Sequence, residues 1–242
     1  MQTSNRGIAM VGFDADDTLW RSQDYFDDAQ AQFERIISHY VDLDDVGKRL
    51  YGYESRNIAF FGYGVKGMAL SMVEAAVDIT DARIKASDIK RIVAIAKQLL
   101  RHPVEVLDDV REAVTAIAAK YPVVLITKGD LFHQEAKVRE SGLSDLFRRI
   151  EVVSEKDPTT YARLFEEFGV DPSRFLMVGN SLRSDIQPVL ELGGWGVYVP
   201  YHLTWMHEAS AQLTQGRERM REIDGIGNLS QAISDLDALA SM

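Results

Sequence analysis

Residues 8–19 read Ile8-Ala9-Met10-Val11-Gly12-Phe13-Asp14-Ala15-Asp16-Asp17-Thr18-Leu19, and the architecture of the chain follows from them. Six residues carry no charge and almost no polarity, and then three carboxylates arrive within four positions. A short, near-continuous apolar run is the signature of a parallel strand covered on both faces, because a strand with one wet face would alternate. Four later runs repeat the pattern: Val123-Val124-Leu125-Ile126 ends at Thr127, Arg149-Ile150-Glu151-Val152-Val153 at Ser154, Phe175-Leu176-Met177-Val178 at Gly179, and Trp195-Gly196-Val197-Tyr198-Val199 at Pro200.

Helical patterns separate the later runs. Val106, Val110, Ala113, Val114 and Ile117 recur at helical spacing. Asp157-Pro158 and Asp171-Pro172 read as N-caps followed by proline at the first helical position. Ile186, Val189 and Leu190 line a helix over 185–192 that stops at Gly193, with Pro188 tolerated in or near its first turn. Strand and helix alternate from residue 104 onward, which predicts an α/β fold with a doubly wound, mostly parallel sheet. Residues 21 to 103 break the rhythm. Tyr25, Phe26, Ala29, Phe33, Ile36, Ile37 and Tyr40 form one helical face, and Ile89, Ile92, Val93, Ala96, Leu99 and Leu100 another. The expected organisation is therefore a core domain from 1–20 and 104–242 with an inserted helical cap domain over 21–103.

The composition narrows the function. In 242 residues, 27 basic side chains face 37 acidic ones, a net charge of −10. This balance argues against a nucleic-acid partner and offers no basic membrane patch. No apolar run approaches the roughly 18 residues of a membrane helix. Cysteine is absent, which excludes disulfides, thiolate catalysis and cysteine-ligated metals and makes a reducing cytoplasm the expected location.

In open α/β sheets, ligands bind beyond the carboxyl ends of the strands. The residues just past the apolar runs are Asp14, Asp16, Asp17 and Thr18, then Thr127 and Lys128, then Lys156, then Asn180, Ser181, Ser184 and Asp185. Two unit charges about 4 Å apart repel by about 4 kcal/mol at an effective dielectric near 20. A cluster of Asp14, Asp16 and Asp185 therefore calls for compensation, and oxygen ligands without cysteine or histidine favour Mg²⁺. With Lys156 as a second cation, the site suits a phosphate ester.

At these residues the chain resembles the haloacid dehalogenase superfamily. Asp14-Ala15-Asp16-Asp17-Thr18-Leu19 is similar to its first motif, Thr127 to its second, Lys156 to its third, and Gly179-Asn180-Ser181-Leu182-Arg183-Ser184-Asp185 to its fourth. The order and the strand-end placement match over nearly the whole chain, and the helical insert resembles the cap of the first subclass. The resemblance implies that Asp14 is the nucleophile that becomes an aspartyl-phosphate and that Asp16 is the acid and base. Thr127 and Lys156 would hold the phosphoryl group. Asp14, Asp16 through its main-chain carbonyl, and Asp185 would bind Mg²⁺, with Asn180 acting through a bound water or a hydrogen bond. Dehalogenating members carry a different residue at the position of Asp16, so the resemblance favours a phosphatase of a small phosphorylated metabolite. A 2-haloacid dehalogenase, a phosphotransferase and a silent phosphate-binding module are the alternatives. The chain departs from the family's usual pattern at three positions. Asp17 stands where glycine is frequent, Asn180 where Asp is common, and Lys128, a candidate for substrate binding or simple solvent exposure, where Asn is frequent.

Other features carry less. Phe60-Phe61-Gly62-Tyr63-Gly64-Val65-Lys66-Gly67 is a candidate specificity loop, with Arg56 and Lys66 able to meet a second anionic group or to lie on the surface. Trp20 either lines the pocket or packs the hinge of the insert. His202 and His207 are five apart, off the spacing that pairs residues on a helix, and Tyr201, His202 and Trp205 either close the rim or pack. A terminal amphipathic helix begins near Asn228. No motif fixes the oligomeric state.

Overall fold

The computed structural model describes residues 7–208 and 216–242. Among them, a six-stranded sheet runs β1 (Met10–Phe13), β2 (Val123–Lys128), β3 (Arg149–Val153), β4 (Phe175–Gly179), β5 (Trp195–Tyr198) and β6 (Met220–Glu222) in chain order. Their spatial order is β3-β2-β1-β4-β5-β6, and every pairing is parallel. The five apolar runs are thus strands. The sixth escapes a periodicity reading because Met220-Arg221-Glu222 is three residues long, carries two charges and lies on the edge.

Alternate residues of the strands feed two apolar layers. Val11, Phe13, Val123, Leu125, Leu176 and Val178 face one layer, with Val114 and Ile117 of α5 (Val110–Ala118) and Ile233 and Leu236 of α9 (Leu229–Ala240). Met10, Val124, Ile126, Phe175 and Met177 face the other, with Leu164 and Phe165 of α7 (Pro158–Phe168) and Val189 of α8 (Gln187–Glu191). Both faces are dry at β1, β2 and β4, which is why these strands read as unbroken apolar runs, whereas β3 at the edge leaves Arg149 and Ile150 exposed. Gly12 has a packing reason: a Cβ there would lie 2.5 Å from the ring tip of Phe175 on the neighbouring strand.

Local chemistry sets the helix starts. The Asp157 carboxylate accepts from the Thr160 amide at 2.7 Å, capping α7 behind Pro158. Asp171 caps in the same way, but the element behind it is a single 3-10 turn, Pro172–Arg174, because β4 begins at the next residue. Val106 lies outside α5 and bridges to Trp20 instead. With Arg21 N donating to Glu105 O and Leu107 N to Leu19 O, the chain leaving β1 and the chain returning to the sheet run side by side. Ahead of α8, residues Leu182–Ile186 form a π turn. Pro188 has no N–H for the carbonyl of Ser184, four residues back, and the buried Tyr161 hydroxyl donates to that carbonyl at 3.2 Å.

The chain divides into two compact units. The first comprises the described residues of Met1–Arg21, Val104–Lys128 and Ala136–Met242 and holds the sheet. The second comprises Ser22–Pro103 and Gly129–Glu135. It contains α1 (Gln23–Ile37), α2 (Val46–Phe61), α3 (Val65–Ile79) and α4 (Ala86–Leu99), packed on Phe33, Ile36, Ile37, Leu50, Met72 and Ile92. Residues 129–135, which open α6 (Leu131–Glu140), belong to this unit by their own contacts: Asp130 pairs with Lys66 at 2.9 Å, and its backbone lies against Gly64. No helix of the described residues is long and apolar enough to cross a membrane.

Candidate active site

β1 lies in the middle of the sheet, where the chain direction of the crossovers reverses, so its carboxyl end is the switch point at which such sheets bind ligands. Asp14 sits there, buried, with its amide donating to Val178 O at 2.9 Å. The backbone then turns through Asp17 at φ +62°, in the left-handed region. Glycine enters that region freely, and aspartate tolerates it better than most residues. The same turn is therefore built with Asp17 as with the glycine common at this place.

The turn brings Thr18 back over Asp14, and the Thr18 hydroxyl donates to Asp14 Oδ2 at 2.9 Å. From β4, Asn180 N donates to the same hydroxyl oxygen at 3.0 Å. A hydroxyl has one proton, and Asp14 takes it. The Asn180 side chain therefore presents its NH₂ to this cluster, 3.2 Å from Thr18 Oγ1, 3.2 Å from Asp14 Oδ2 and 3.3 Å from the main-chain oxygen of Asp16. Asn180 thus ties the first and fourth motifs together.

Lys156 lies between two carboxylates. Its Nζ bonds Asp14 Oδ1 and, at 2.7 Å, Asp185 Oδ1, and all three side chains are buried. Burial opposes the charge on Lys156, but Asp14 and Asp185 outweigh it and hold the ammonium well above the ordinary lysine range. Asp185 is pushed up, first by burial and then by Asp14, with Lys156 and the Ser181 amide pulling the other way. That amide donates to Asp185 Oδ2 at 3.0 Å. Gly179 makes room: a Cβ there would lie 2.3 Å from the Asp185 carboxylate. Two buried carboxylates thus share one ammonium.

This charge deficit bears on a divalent cation. Asp14 and Asp185 offer carboxylate oxygens, and the Asp16 carbonyl faces the same Asn180 amide as Asp14 Oδ2. The donors are hard oxygens, as Mg²⁺ requires. Among the described residues no group of three or more His, Cys, Asp or Glu side chains is arranged to hold a metal, so a cation here needs the main-chain oxygen as well. The donor set fits Mg²⁺ in chemistry and in charge.

The Asp16 carboxylate turns elsewhere. Its Oδ1 accepts from Trp20 Nε1 at 2.7 Å and from Lys137 Nζ at 2.5 Å. Trp20 is fully buried, so its indole packs beside the first motif and also serves it. Thr127 is buried at the end of β2, next to β1, and its hydroxyl lies 3.4 Å from Lys128 O. Lys128 is mostly buried rather than extended into solvent: Nζ meets Glu208 Oε1 at 2.8 Å, Ser184 Oγ at 2.9 Å and Glu155 Oε1 at 3.5 Å. Ser181 caps the turn behind β4 by accepting from Ser184 N at 3.0 Å and donates to Glu208 Oε2 at 2.5 Å. Burial works against the Glu208 charge, but Lys128 and the two serines hold its carboxyl below the usual range.

Sequence reasoning missed Lys137 and Glu208. Lys137 lies in the last turns of α6 and carries no motif. Glu208 follows β5, and the strand-end rule that picked out Tyr201, His202 and Trp205 would have reached it. Those residues pack on one another, Tyr201 on His202 and Trp205 on His207. In the helical unit, the Arg56 guanidinium stacks on Tyr53, and Lys66 pairs with Asp130 beside the Phe132 ring.

The chain is similar to known hydrolases. A family model described as haloacid dehalogenase-like hydrolase matches residues 8–193. A haloacid dehalogenase-like family hydrolase of Xanthomonas campestris is 55% identical over 99% of this chain and 96% of its own, with a TM-score of 0.87. A 2-haloacid dehalogenase of Pseudomonas syringae pv. Tomato DC3000 is 18% identical over 94% of this chain and 99% of its own, with a TM-score of 0.63. A predicted phosphoglycolate phosphatase of Haemophilus somnus 129pt is 15% identical over 95% and 98%, with a TM-score of 0.61. The last two likenesses show the fold alone. No curated protein is significantly similar in sequence.

Proposed function

The chain belongs to the haloacid dehalogenase-like hydrolases, and from that premise we propose that it is a Mg²⁺-dependent phosphatase of small phosphate monoesters. The observation that carries this reading is Asp16. A carboxylate stands two residues past the nucleophile's position, held by Trp20 and Lys137. Ester cleavage needs a proton for the departing oxygen, whereas a departing halide needs none.

Lys156 and Thr18 fix the two oxygens of Asp14. One of these oxygens forms a bond to phosphorus while the ester P–O bond breaks, and the departing oxygen takes the proton of Asp16, which enters this step as the neutral acid. Thr127 donates its hydroxyl to the phosphoryl oxygens, and Lys156 offsets their charge. Asp16, now a carboxylate, takes a proton from water as the water oxygen bonds to phosphorus. The bond from phosphorus to Asp14 breaks, and inorganic phosphate leaves with both carboxyl groups restored. Asp14, Asp185 and the Asp16 carbonyl would hold Mg²⁺, with Asn180 beside them. When bound, the ion supplies positive charge to the phosphoryl oxygens.

The purified protein is expected to hydrolyse p-nitrophenyl phosphate, to lose that activity in EDTA and to regain it with Mg²⁺. Asp14→Asn should lower kcat by at least about 10⁴-fold. Full activity in a folded Asp14→Asn protein would overturn the assignment. Metal-independent chloride release from 2-haloacids, with no phosphate release, would replace it by dehalogenation.

A further inference from the structure

Asp16 is the acid and base of the proposed reaction, and a carboxylate with two rotatable bonds must be aimed to do that work. Two donors meet its Oδ1. Trp20 Nε1 at 2.7 Å comes from a fully buried indole four residues ahead, and Lys137 Nζ at 2.5 Å comes from α6, 121 residues away. Lys137 is itself buried, 8% exposed, although it stands near the carboxyl end of a helix, where a lysine ordinarily extends into water and complements the dipole. Withdrawing an ammonium from water is costly unless a charged partner receives it. The partner here is the Asp16 carboxylate.

We propose that Lys137 is a positioning residue for the leaving-group acid: with Trp20 it clamps one oxygen of Asp16 and so fixes the direction in which that carboxyl group delivers its proton. This rests on the phosphatase reading and deepens it by adding a residue outside the four motifs. The clamp also sets a substrate preference. An aryl ester such as p-nitrophenyl phosphate departs as a stable anion and gains little from a well-aimed acid. An alkyl ester departs as a strongly basic alkoxide and depends on it. The clamp therefore suits the site to phosphate esters of ordinary alcohols.

The test is a series of phosphate monoesters of rising leaving-group pKa, from p-nitrophenyl to phenyl to alkyl, turned over by the native protein, Lys137→Met and Lys137→Arg. In Lys137→Met, kcat for the alkyl ester should fall about tenfold further than kcat for the nitrophenyl ester, with KM moved far less, since general acid catalysis contributes about 10²–10⁴. Lys137→Arg should restore much of the alkyl activity. A folded Lys137→Met protein that loses activity equally on every ester, or loses none, overturns the proposal. If Lys137→Met does not fold, Trp20→Phe carries the test. It removes the other donor to the same oxygen and must steepen the same dependence, and an unchanged slope overturns the clamp. Native protein that turns over none of the esters refutes the phosphatase reading and the clamp with it. Native turnover with a flat variant series refutes the clamp alone.

Discussion

The two units treat charge in opposite ways. In the helical unit two ion pairs are local, Arg49 with Asp45 at i,i+4 and Arg91 with Asp88 at i,i+3, and a third, Lys66 with Asp130, spans 64 residues, but all three keep an exposed cation. Its buried polar side chains among the described residues are uncharged: Ser22, Asn57, Ser71, Thr80 and Gln134. In the sheet unit, by contrast, Asp14, Lys137, Lys156 and Asp185 are all buried, and their partners lie 142, 121 and 29 residues apart along the chain. Exposed helix pairs contribute about 0.3–0.5 kcal/mol, and losing one costs no more than that. Buried pairs cost desolvation and become expensive when broken. A fold that keeps several such groups at one strand-end rim carries them for chemistry rather than for stability.

The contrast can be broken most forcefully at Lys156. Lys156→Met leaves two buried carboxylates without their shared cation, and urea unfolding should show a loss of about 3–5 kcal/mol. Adding Asp185→Asn should recover part of it. A loss below about 1 kcal/mol, in the range of exposed pairs, would erase the distinction between the units.

Glu54 sharpens it from the other side. This partly buried carboxyl of α2 is pushed up to about 7 by burial. Its folded pKa is above its unfolded one, so the native state binds more protons between pH 4.5 and 7 and loses stability as pH rises through that window. Glu54→Gln should remove the decline and be more stable at pH 8 by about 2–3 kcal/mol, with little gain at pH 4. Equal stability at pH 8 would mean that the helical unit pairs its buried charge as the sheet unit does.

A smaller effect is expected at Glu208. Its carboxyl lies below the usual range, so its stabilisation is complete above about pH 4.5 and disappears as acid titrates the folded protein. Glu208→Gln should lower stability at pH 7 by about 1–3 kcal/mol, and the gap should close below about pH 4. A gap that persists in acid would assign Glu208 to packing rather than to its charge on Lys128.

Much of this was legible from residues alone. The sequence predicts one cluster of Asp14, Asp16 and Asp185 with Lys156, because parallel strands force their carboxyl ends onto one rim and apolar runs locate those ends. Asp14, Lys156 and Asp185 do meet, but the Asp16 carboxylate turns to Trp20 and Lys137. Asp157 was legible as a cap because its partner is three residues away. The π turn before α8 was not, since it depends on Tyr161 reaching the carbonyl that Pro188 leaves unmet. Lys128 read as a residue for substrate or solvent, and its position against Glu208 depends on the path of a loop eighty residues later.

The sequence by itself determined the parallel sheet, the run of helices between its first two strands and which side chains follow the strand ends, because burial writes itself into periodicity and strand ends into composition. Only the tertiary structure decided how those charges are shared: one ammonium between Asp14 and Asp185, a second on Asp16, and Glu208 closing on Lys128. Pairings of that kind follow from distances between residues far apart in the chain, and no local pattern encodes a distance.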